Sequence, residues 1–191
     1  MIGAIILAAG SSRRFGDDKR KAKLPDGRMV FEQTIETVLT SFDDVLLVLR
    51  YGDTDFESEV RALFEAEKLR IFRAPDSALG MGHSLANAMA EVSDWDSVFI
   101  FLADMPYIKP ATIEKLRSSL ESGRIVVPVH VGRYGHPVGF SHEFFDEIAA
   151  LEGDRGAKPV IQVHLDRVVE VEVDDPGVLQ DVDRPEDLSS S

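Results

Sequence analysis

The chain has 191 residues, of which 44% are hydrophobic and 29% charged, and its formal net charge is −13. This length predicts one domain whose core needs no covalent staples. Because the chain contains no cysteine, disulfides, thiolate nucleophiles and cysteine-based zinc sites are excluded. The acidic charge argues against a nucleic-acid or membrane-surface binder, and no apolar run approaches the ~20 residues of a membrane helix. We expect a globular protein of the cytoplasm.

Short aliphatic runs alternate with helical patterns along the first half of the chain. The runs predict strands at 2–8, 45–49, 69–73 and 97–102, and apolar residues at helical spacing predict helices over 30–40, 54–67 and 83–92. Near-continuous apolar runs are typical of strands that are buried on both faces, as in a parallel sheet. The alternation therefore predicts an α/β fold, a three-layer α/β/α sandwich around a mostly parallel Rossmann-like sheet.

The second half of the chain is less regular. It predicts strands near 124–129, 135–140 and 167–173, helices near 141–151 and 156–163, and a short helix in the tail. No repeat or linker divides the chain, so one domain spanning 1–191 is expected.

A compact basic segment interrupts this acidic chain. Seven basic and three acidic residues lie between Arg13 and Arg28, which gives the segment a net charge of +4 and leaves −17 for the rest. Such a segment suits a small polyanion such as a triphosphate, although a solvated loop would have the same composition.

Three segments rich in glycine, charge or turn residues follow predicted strands. They cover 7–16, 74–84 and 103–106. In an open parallel α/β sheet, ligands bind outside the carboxyl ends of the strands. Strand order alone therefore predicts that the three segments converge on one crevice.

The first of these segments has the composition of a phosphate-binding loop. Gly10, Gly16 and the two serines after Gly10 would let backbone amides form a concave nest for phosphate oxygens. Arg14 and Lys19 would add full positive charges. The segment matches neither GxxxxGK[ST] nor GxGxxG, and an ordinary surface turn is the alternative.

The other two segments offer a metal ligand and close backbone approach. Asp104 directly follows an apolar strand, and Mg²⁺ prefers one or two carboxylates together with phosphate oxygens and water; a turn aspartate is the alternative. Gly82 would allow close approach to a ligand, and Ser84 would lie near a base or ribose. Alternatively, Ser84 or His83 caps the following helix.

Taken in order, six motifs resemble those of the molybdenum cofactor nucleotidyltransferases, a MobA/MocA-like family. The first motif reads LAAG, which is closer to the cytidylyltransferase branch than the LAGG of the guanylyltransferase branch. The motifs are LAAGSSRRFG at 7–16 followed by Lys19, GMGHSL at 80–85, LADMP at 102–106, GHPVGF at 135–140, GDRGAKPVI at 153–161 and DVDRPEDL at 181–188.

The resemblance implies transfer of a nucleotidyl group, CMP from CTP in this branch, to the phosphate of molybdopterin cofactor, with release of pyrophosphate. It implies Mg²⁺ as cofactor and a molybdenum oxidoreductase as the partner that would receive the product. It also implies a nucleotide-binding half over 1–105 and an acceptor-binding half over 106–191.

The resemblance also assigns roles to individual residues. Arg14, Lys19 and Asp104 would be catalytic, Asp104 and Asp183 would hold the metal ion, and His136 and Asp154 would bind the acceptor. A structural role for His136 and a helix-capping role for Asp183 are the alternatives. The nucleotide-binding residues would be Leu7, Ala8, Ala9, Gly10, Ser11, Ser12, Arg13, Gly16, Gly82 and Ser84.

Two departures from the family pattern leave alternatives open. The stretch after Lys19 is one residue longer than usual, so Lys21 or Lys23 could take its role. Strand three ends in Arg73-Ala74-Pro75, where many relatives have an asparagine, so base or acceptor selectivity could differ. A transferase acting on a sugar or polyol phosphate is one alternative function, and a non-catalytic carrier of the cofactor is another.

Overall fold

The computed structural model describes residues 1–10, 18–64, 67–182 and 187–188. Its eight-stranded sheet has two parts that differ in strand direction. In the first part, four parallel strands lie in the order β3-β2-β1-β4. Their bounds are Ile2–Leu7 for β1, Val45–Arg50 for β2, Leu69–Ala74 for β3 and Ser97–Leu102 for β4. All four predicted strands of the first half are confirmed.

The second part of the sheet introduces antiparallel pairing. β7 lies antiparallel between β4 and β5, β6 forms a hairpin with β5, and β8 runs parallel to β5. The bounds are Ile125–His130 for β5, Arg133–Tyr134 for β6, Val138–Ser141 for β7 and Val168–Glu172 for β8. The sheet is mostly parallel, as predicted.

Six α-helices among the described residues cover both faces of this sheet. They are Val30–Ser41 (α1), Thr54–Leu63 (α2), Met81–Met89 (α3), Pro110–Ser118 (α4), Phe145–Ala149 (α5) and Lys158–Val163 (α6). Successive residues of β1 explain the layers, because Ala4 and Ile6 pack with α1, α2 and α4, whereas Ile5 and Leu7 pack with α3, α5 and α6. The predicted three-layer sandwich is confirmed.

The structure differs from the predicted elements at four places. The strand predicted near 135–140 corresponds to β7, which begins only at Val138. Helix α4 was not predicted. It begins with Pro110 at its first position. Its start is capped by the buried Asp175, whose carboxylate accepts hydrogen bonds from Lys109 N and Thr112 Oγ1. Asp175 lies 63 positions after Thr112 in the chain. The helix predicted over 141–151 is a 3-10 turn followed by the short α5. Helix α2 ends earlier than predicted, at Leu63. Within the described ranges, no helix is long and apolar enough to cross a membrane.

Candidate active site

A cavity of about 100 Å³ lies at the carboxyl ends of β1 and β4. These strands are hydrogen-bonded neighbours, and the amide of Ala103 continues the pairing by donating to Leu7 O at 3.0 Å. Three parts of the chain converge here, as strand order predicted. The lining residues are Leu7, Ala8, Ala9, Gly10, Lys19, Arg20, Met81, Ser84, Leu102, Ala103 and Asp104.

An ion pair crosses this cavity. Lys19, in a 3-10 turn over Lys19–Lys21, donates from Nζ to Asp104 Oδ2, and both side chains are only 16% exposed. The other carboxylate oxygen, Asp104 Oδ1, is buried and has no hydrogen-bond partner in the described part of the chain. Asp104 therefore offers one oxygen to a further positive group.

That unpartnered oxygen fits a divalent cation. Mg²⁺ is commonly held by one or two carboxylates, with phosphate oxygens and water completing the shell. Among residues 1–10, 18–64, 67–182 and 187–188, no group of three or more His, Cys, Asp or Glu side chains could hold a metal ion. Asp183, the second predicted ligand, lies outside the described residues.

The nearby lysines are distinguished by their partners. Lys21 pairs with Glu59 on α2, and Lys23 is exposed, whereas Lys19 alone of the three lines the cavity. Lys19 is therefore the lysine of this segment that the structure places in the cavity, and its catalytic role stays a prediction. Most of the basic segment that is described forms pairs within the protein, since Arg28 also pairs with Asp26 and Glu36.

The loop after β1 continues the sheet before it turns into the cavity. The amide of Ala8 donates to Val48 O at 2.9 Å, and Ala8 O accepts from Arg20 Nη1 at 2.9 Å. Residues 7–10 therefore line the cavity, and their binding of phosphate stays a prediction. Five further predicted residues of this loop lie outside the described residues: Ser11, Ser12, Arg13, Arg14 and Gly16.

The start of α3 contributes Ser84 but not Gly82 to the cavity lining. Ser84 is 1% exposed, and its hydroxyl donates to Gly80 O at 3.2 Å. A Cβ on Gly82 would lie 2.6 Å from Glu152 O, and the Gly82 amide donates to Gly153 O at 2.8 Å. The group that approaches Gly82 closely is therefore the backbone of Glu152 and Gly153. Contact between Gly82 and a nucleotide stays a prediction.

Comparison with known proteins identifies the family to which this arrangement belongs. The family model described as the MobA-like NTP transferase domain matches residues 4–168. The chain belongs to the MobA-like NTP transferase family. The resemblance found in the sequence is thereby confirmed, and the chain is a nucleotidyltransferase of this family.

Named members of the MobA-like group and its relatives differ in their assigned roles. The chain is 30% identical to the purine catabolism protein PucB of Bacillus subtilis, over 96% of this chain and 92% of that one. It is 29% identical to a probable molybdenum cofactor guanylyltransferase of Natranaerobius thermophilus, over 70% of this chain and 62% of that one.

Solved structures share the fold of this chain over nearly its whole length. Rv0371c of Mycobacterium tuberculosis superposes with a TM-score of 0.81 and 29% identity, covering 100% of this chain and 97% of that one. A second structure of that protein, in complex with manganese, gives a TM-score of 0.76 at 27% identity, with coverage of 100% and 99%.

The two predicted acceptor-binding residues lie outside the lining of the MobA-like cavity. The Asp154 carboxylate accepts from Met81 N at 3.1 Å, so it caps the first turn of α3. His136 is held through its backbone amide, which donates to Val178 O at 2.9 Å. Burial lowers the pKa of His136 to about 4, although the charge of Asp181 opposes this shift. At neutral pH His136 is therefore uncharged, and its role in acceptor binding stays a prediction.

The sequence analysis missed four lining residues, of which Arg20 is the charged one and the others are Met81, Leu102 and Ala103. The Arg20 side chain lines the cavity beside Lys19, yet the residue is 3% exposed and bonded to Asp18, Asp53 and Ala8 O. Arg20 resembles every other member of a basic run, and Asp53 lies 33 positions away. No local pattern signals that contact.

Proposed function

We propose that this chain transfers a nucleotidyl group, CMP from CTP in preference to other nucleotides, to the phosphate of molybdopterin cofactor with release of pyrophosphate. The observation that carries the proposal is the Lys19–Asp104 pair in a cavity walled by the loop after β1. Membership of the MobA-like family and a relative named as a molybdenum cofactor guanylyltransferase support it. The LAAG form of the loop supports the choice of CTP.

The proposed reaction forms one phosphorus–oxygen bond and breaks another. An oxygen of the acceptor phosphate attacks the α-phosphorus, and the bond from that phosphorus to the bridging oxygen breaks, so that pyrophosphate leaves with the electron pair. Because the acceptor phosphate is already ionised at neutral pH, no strong general base is needed. Positioning and stabilisation of charge then provide most of the rate enhancement.

The residues of the cavity would divide this work. The backbone of residues 7–10 would position the nucleotide, and the Lys19 ammonium would oppose the negative charge that develops on the departing pyrophosphate. Asp104, with its unpartnered Oδ1, would hold Mg²⁺. When bound, Mg²⁺ would neutralise charge on the phosphates. Arg14 is proposed to act with Lys19, and Asp183 with Asp104.

The second part of the chain is proposed to bind the acceptor. Residues 1–105 would bind the nucleotide and 106–191 the acceptor, with His136 and Asp154 contacting it. Since His136 is neutral at pH 7, it would serve as a hydrogen-bonding group rather than as a cationic phosphate ligand. A molybdenum oxidoreductase is the partner that would receive the product.

The test is pyrophosphate release with Mg²⁺ and each of the four nucleoside triphosphates, with molybdopterin cofactor, a sugar phosphate or a polyol phosphate as acceptor. We expect release that requires molybdopterin cofactor and is fastest with CTP. Faster release with a sugar or polyol phosphate would reassign the acceptor. Binding of the cofactor without release under any condition would indicate a carrier and would contradict the proposal.

A further inference from the structure

The guanidinium of Arg20 lines the cavity, but each of its N–H groups is bonded to the protein. Nε and Nη2 bind Asp18 Oδ1 and Oδ2 at 2.8 and 2.6 Å, and Nη1 binds Asp53 Oδ2 at 2.6 Å and Ala8 O at 2.9 Å. A longer contact of 3.4 Å joins Nη2 to Asp53 Oδ1. The Phe56 ring lies 4.0 Å from the guanidinium carbon. All five N–H donors of Arg20 are therefore engaged.

Among the described residues, the positive and negative charges in the cluster around Arg20 are equal in number. Arg50 binds Asp53 Oδ1 at 3.0 Å and lies 3.7 Å from Asp18 Oδ2, so Arg20 and Arg50 oppose two carboxylates with two positive charges. Burial alone would raise the pKa of Asp18 and Asp53, but the hydrogen bonds from Arg20 and its charge outweigh burial and hold both below their usual range. Arg20 therefore has neither a vacant donor nor an uncompensated charge for a triphosphate.

The same contacts fix the walls of the cavity. Ala8 O belongs to the loop after β1, Asp18 opens the turn that carries Lys19, and Asp53 immediately precedes α2. Because a peptide unit is planar and trans, holding Ala8 O also fixes the direction of the Ala9 amide. Arg20 thus joins the nucleotide loop and the Lys19 turn to one rigid support.

We propose that Arg20 is a positioning residue, which orients the Ala8–Ala9 peptide and the Lys19 side chain for the bound triphosphate without touching it. The inference rests on the proposed function, since Lys19 must act on the nucleotide for its orientation to matter. Residues that hold catalytic groups in place typically change affinity or turnover by about 10- to 100-fold when they are removed.

The chain contains a matched control for Arg20. Arg28 makes the same local contacts with the aspartate two positions before it, since its backbone amide, Nε and Nη2 bind Asp26 at 3.1, 2.8 and 2.5 Å. The corresponding Arg20 bonds to Asp18 are 3.2, 2.8 and 2.6 Å. The Arg28 side chain is 44% exposed and does not line the Lys19 cavity. The two arginines thus share the local motif and differ in the contacts to Ala8, Asp53 and Phe56.

The experiment compares Arg20→Met with Arg28→Met in three measurements: melting temperature, dissociation constant for MgCTP and MgGTP, and turnover. For Arg20→Met we expect nucleotide affinity and turnover per folded molecule to fall by about tenfold or more each. Arg20→Lys should not restore them, because a lysine cannot span Ala8 O and both carboxylates. Arg28→Met should stay within about twofold of the native protein.

A double-mutant cycle separates positioning from stability. Because part of the effect of Arg20 acts through Lys19, Arg20→Met should lower turnover by a smaller factor in the Lys19→Ala background than in the native protein. A lower melting temperature with native affinity and turnover for Arg20→Met would overturn the inference. If Arg20→Met does not fold, Asp53→Asn, which keeps the contacts to Asp18 and Ala8, takes its place with the same expectations. Native turnover in Lys19→Ala would instead contradict the proposed function.

Discussion

Lys19 and Arg20 are neighbours in the chain but belong to different charge clusters. Lys19 extends to Asp104 at the end of β4, whereas Arg20 extends to Asp53 before α2. Lys21, the next residue, pairs with Glu59 on α2. The short 3-10 turn directs the three basic side chains to different acidic partners, and of these partners only Asp104 lines the cavity.

The position of Lys19 beside Asp104 in the cavity predicts the effect of removing its side chain. Lys19→Ala should lower turnover by about 100-fold, because the charge acts on the developing pyrophosphate, and should weaken triphosphate binding by less than about fivefold. Steady-state kinetics and equilibrium binding of MgCTP separate the two effects. Lys23→Ala, an exposed residue of the same segment, is the control and should change neither. Equal losses of affinity with unchanged turnover would contradict the catalytic role.

The sequence predicts Lys19 and Asp104 because each lies at a fixed distance from a recognisable motif. It does not distinguish Lys19 from Lys21 and Lys23, because the stretch after Lys19 is one residue longer than in the family and the family's spacing then fits more than one lysine. The role of Arg20 is also hidden, because the Asp-x-Arg pattern at 18–20 recurs at 26–28, and the decisive partners of Arg20 are distant in sequence.

At the level of elements, the turn around His136 is held by the 3-10 turn Pro176–Leu179. The amide of His136 donates to Val178 O, and a Cβ on Gly135 would lie 2.4 Å from the same oxygen. The sequence predicts that His136 binds the acceptor. It cannot predict this packing, because the two turns are separated by about 40 residues.

The half-buried His136 ring predicts a pH dependence of stability. Its pKa is lowered from 6.5 to about 4 in the folded chain, so the unfolded chain binds a proton first as the pH falls. The stability that neutral His136 contributes is therefore fully present above pH 6.5. The free energy of unfolding should decrease by up to roughly 3 kcal/mol between pH 6.5 and pH 4. Denaturant unfolding at several pH values measures this change.

The control for this prediction is His136→Gln, which keeps a polar side chain without a titrating ring. Its free energy of unfolding should vary less over the same interval. The lowered pKa values of Asp18 and Asp53 add a separate loss of stability below their ordinary value of 3.8. An identical pH profile for the native protein and His136→Gln would show that His136 is not the group responsible.

At the scale of the whole molecule, the alternation of apolar runs and amphipathic helices determines the three layers. The antiparallel part is harder to predict because its hairpin carries an unusual residue: Val131 has a φ of 49°, followed by Gly132 at 70°. Two-residue hairpin loops of this kind normally begin with Asn, Asp or Gly, so the turn between β5 and β6 has a weak sequence signal. Helix α4 is likewise stabilised by a distant cap, Asp175.

The arrangement of the layers brings Asp104 to the loop after β1, and this contact is central to the proposed chemistry. Pyrophosphate release with Mg²⁺, CTP and molybdopterin cofactor, compared between the native protein, Asp104→Asn and Asp94→Asn, tests it most directly. Asp94 is exposed and precedes β4, at the opposite end of the strand from Asp104. We expect cofactor-dependent release from the native protein and Asp94→Asn, and a loss of about 100-fold or more in Asp104→Asn. Native rates in Asp104→Asn would contradict the account.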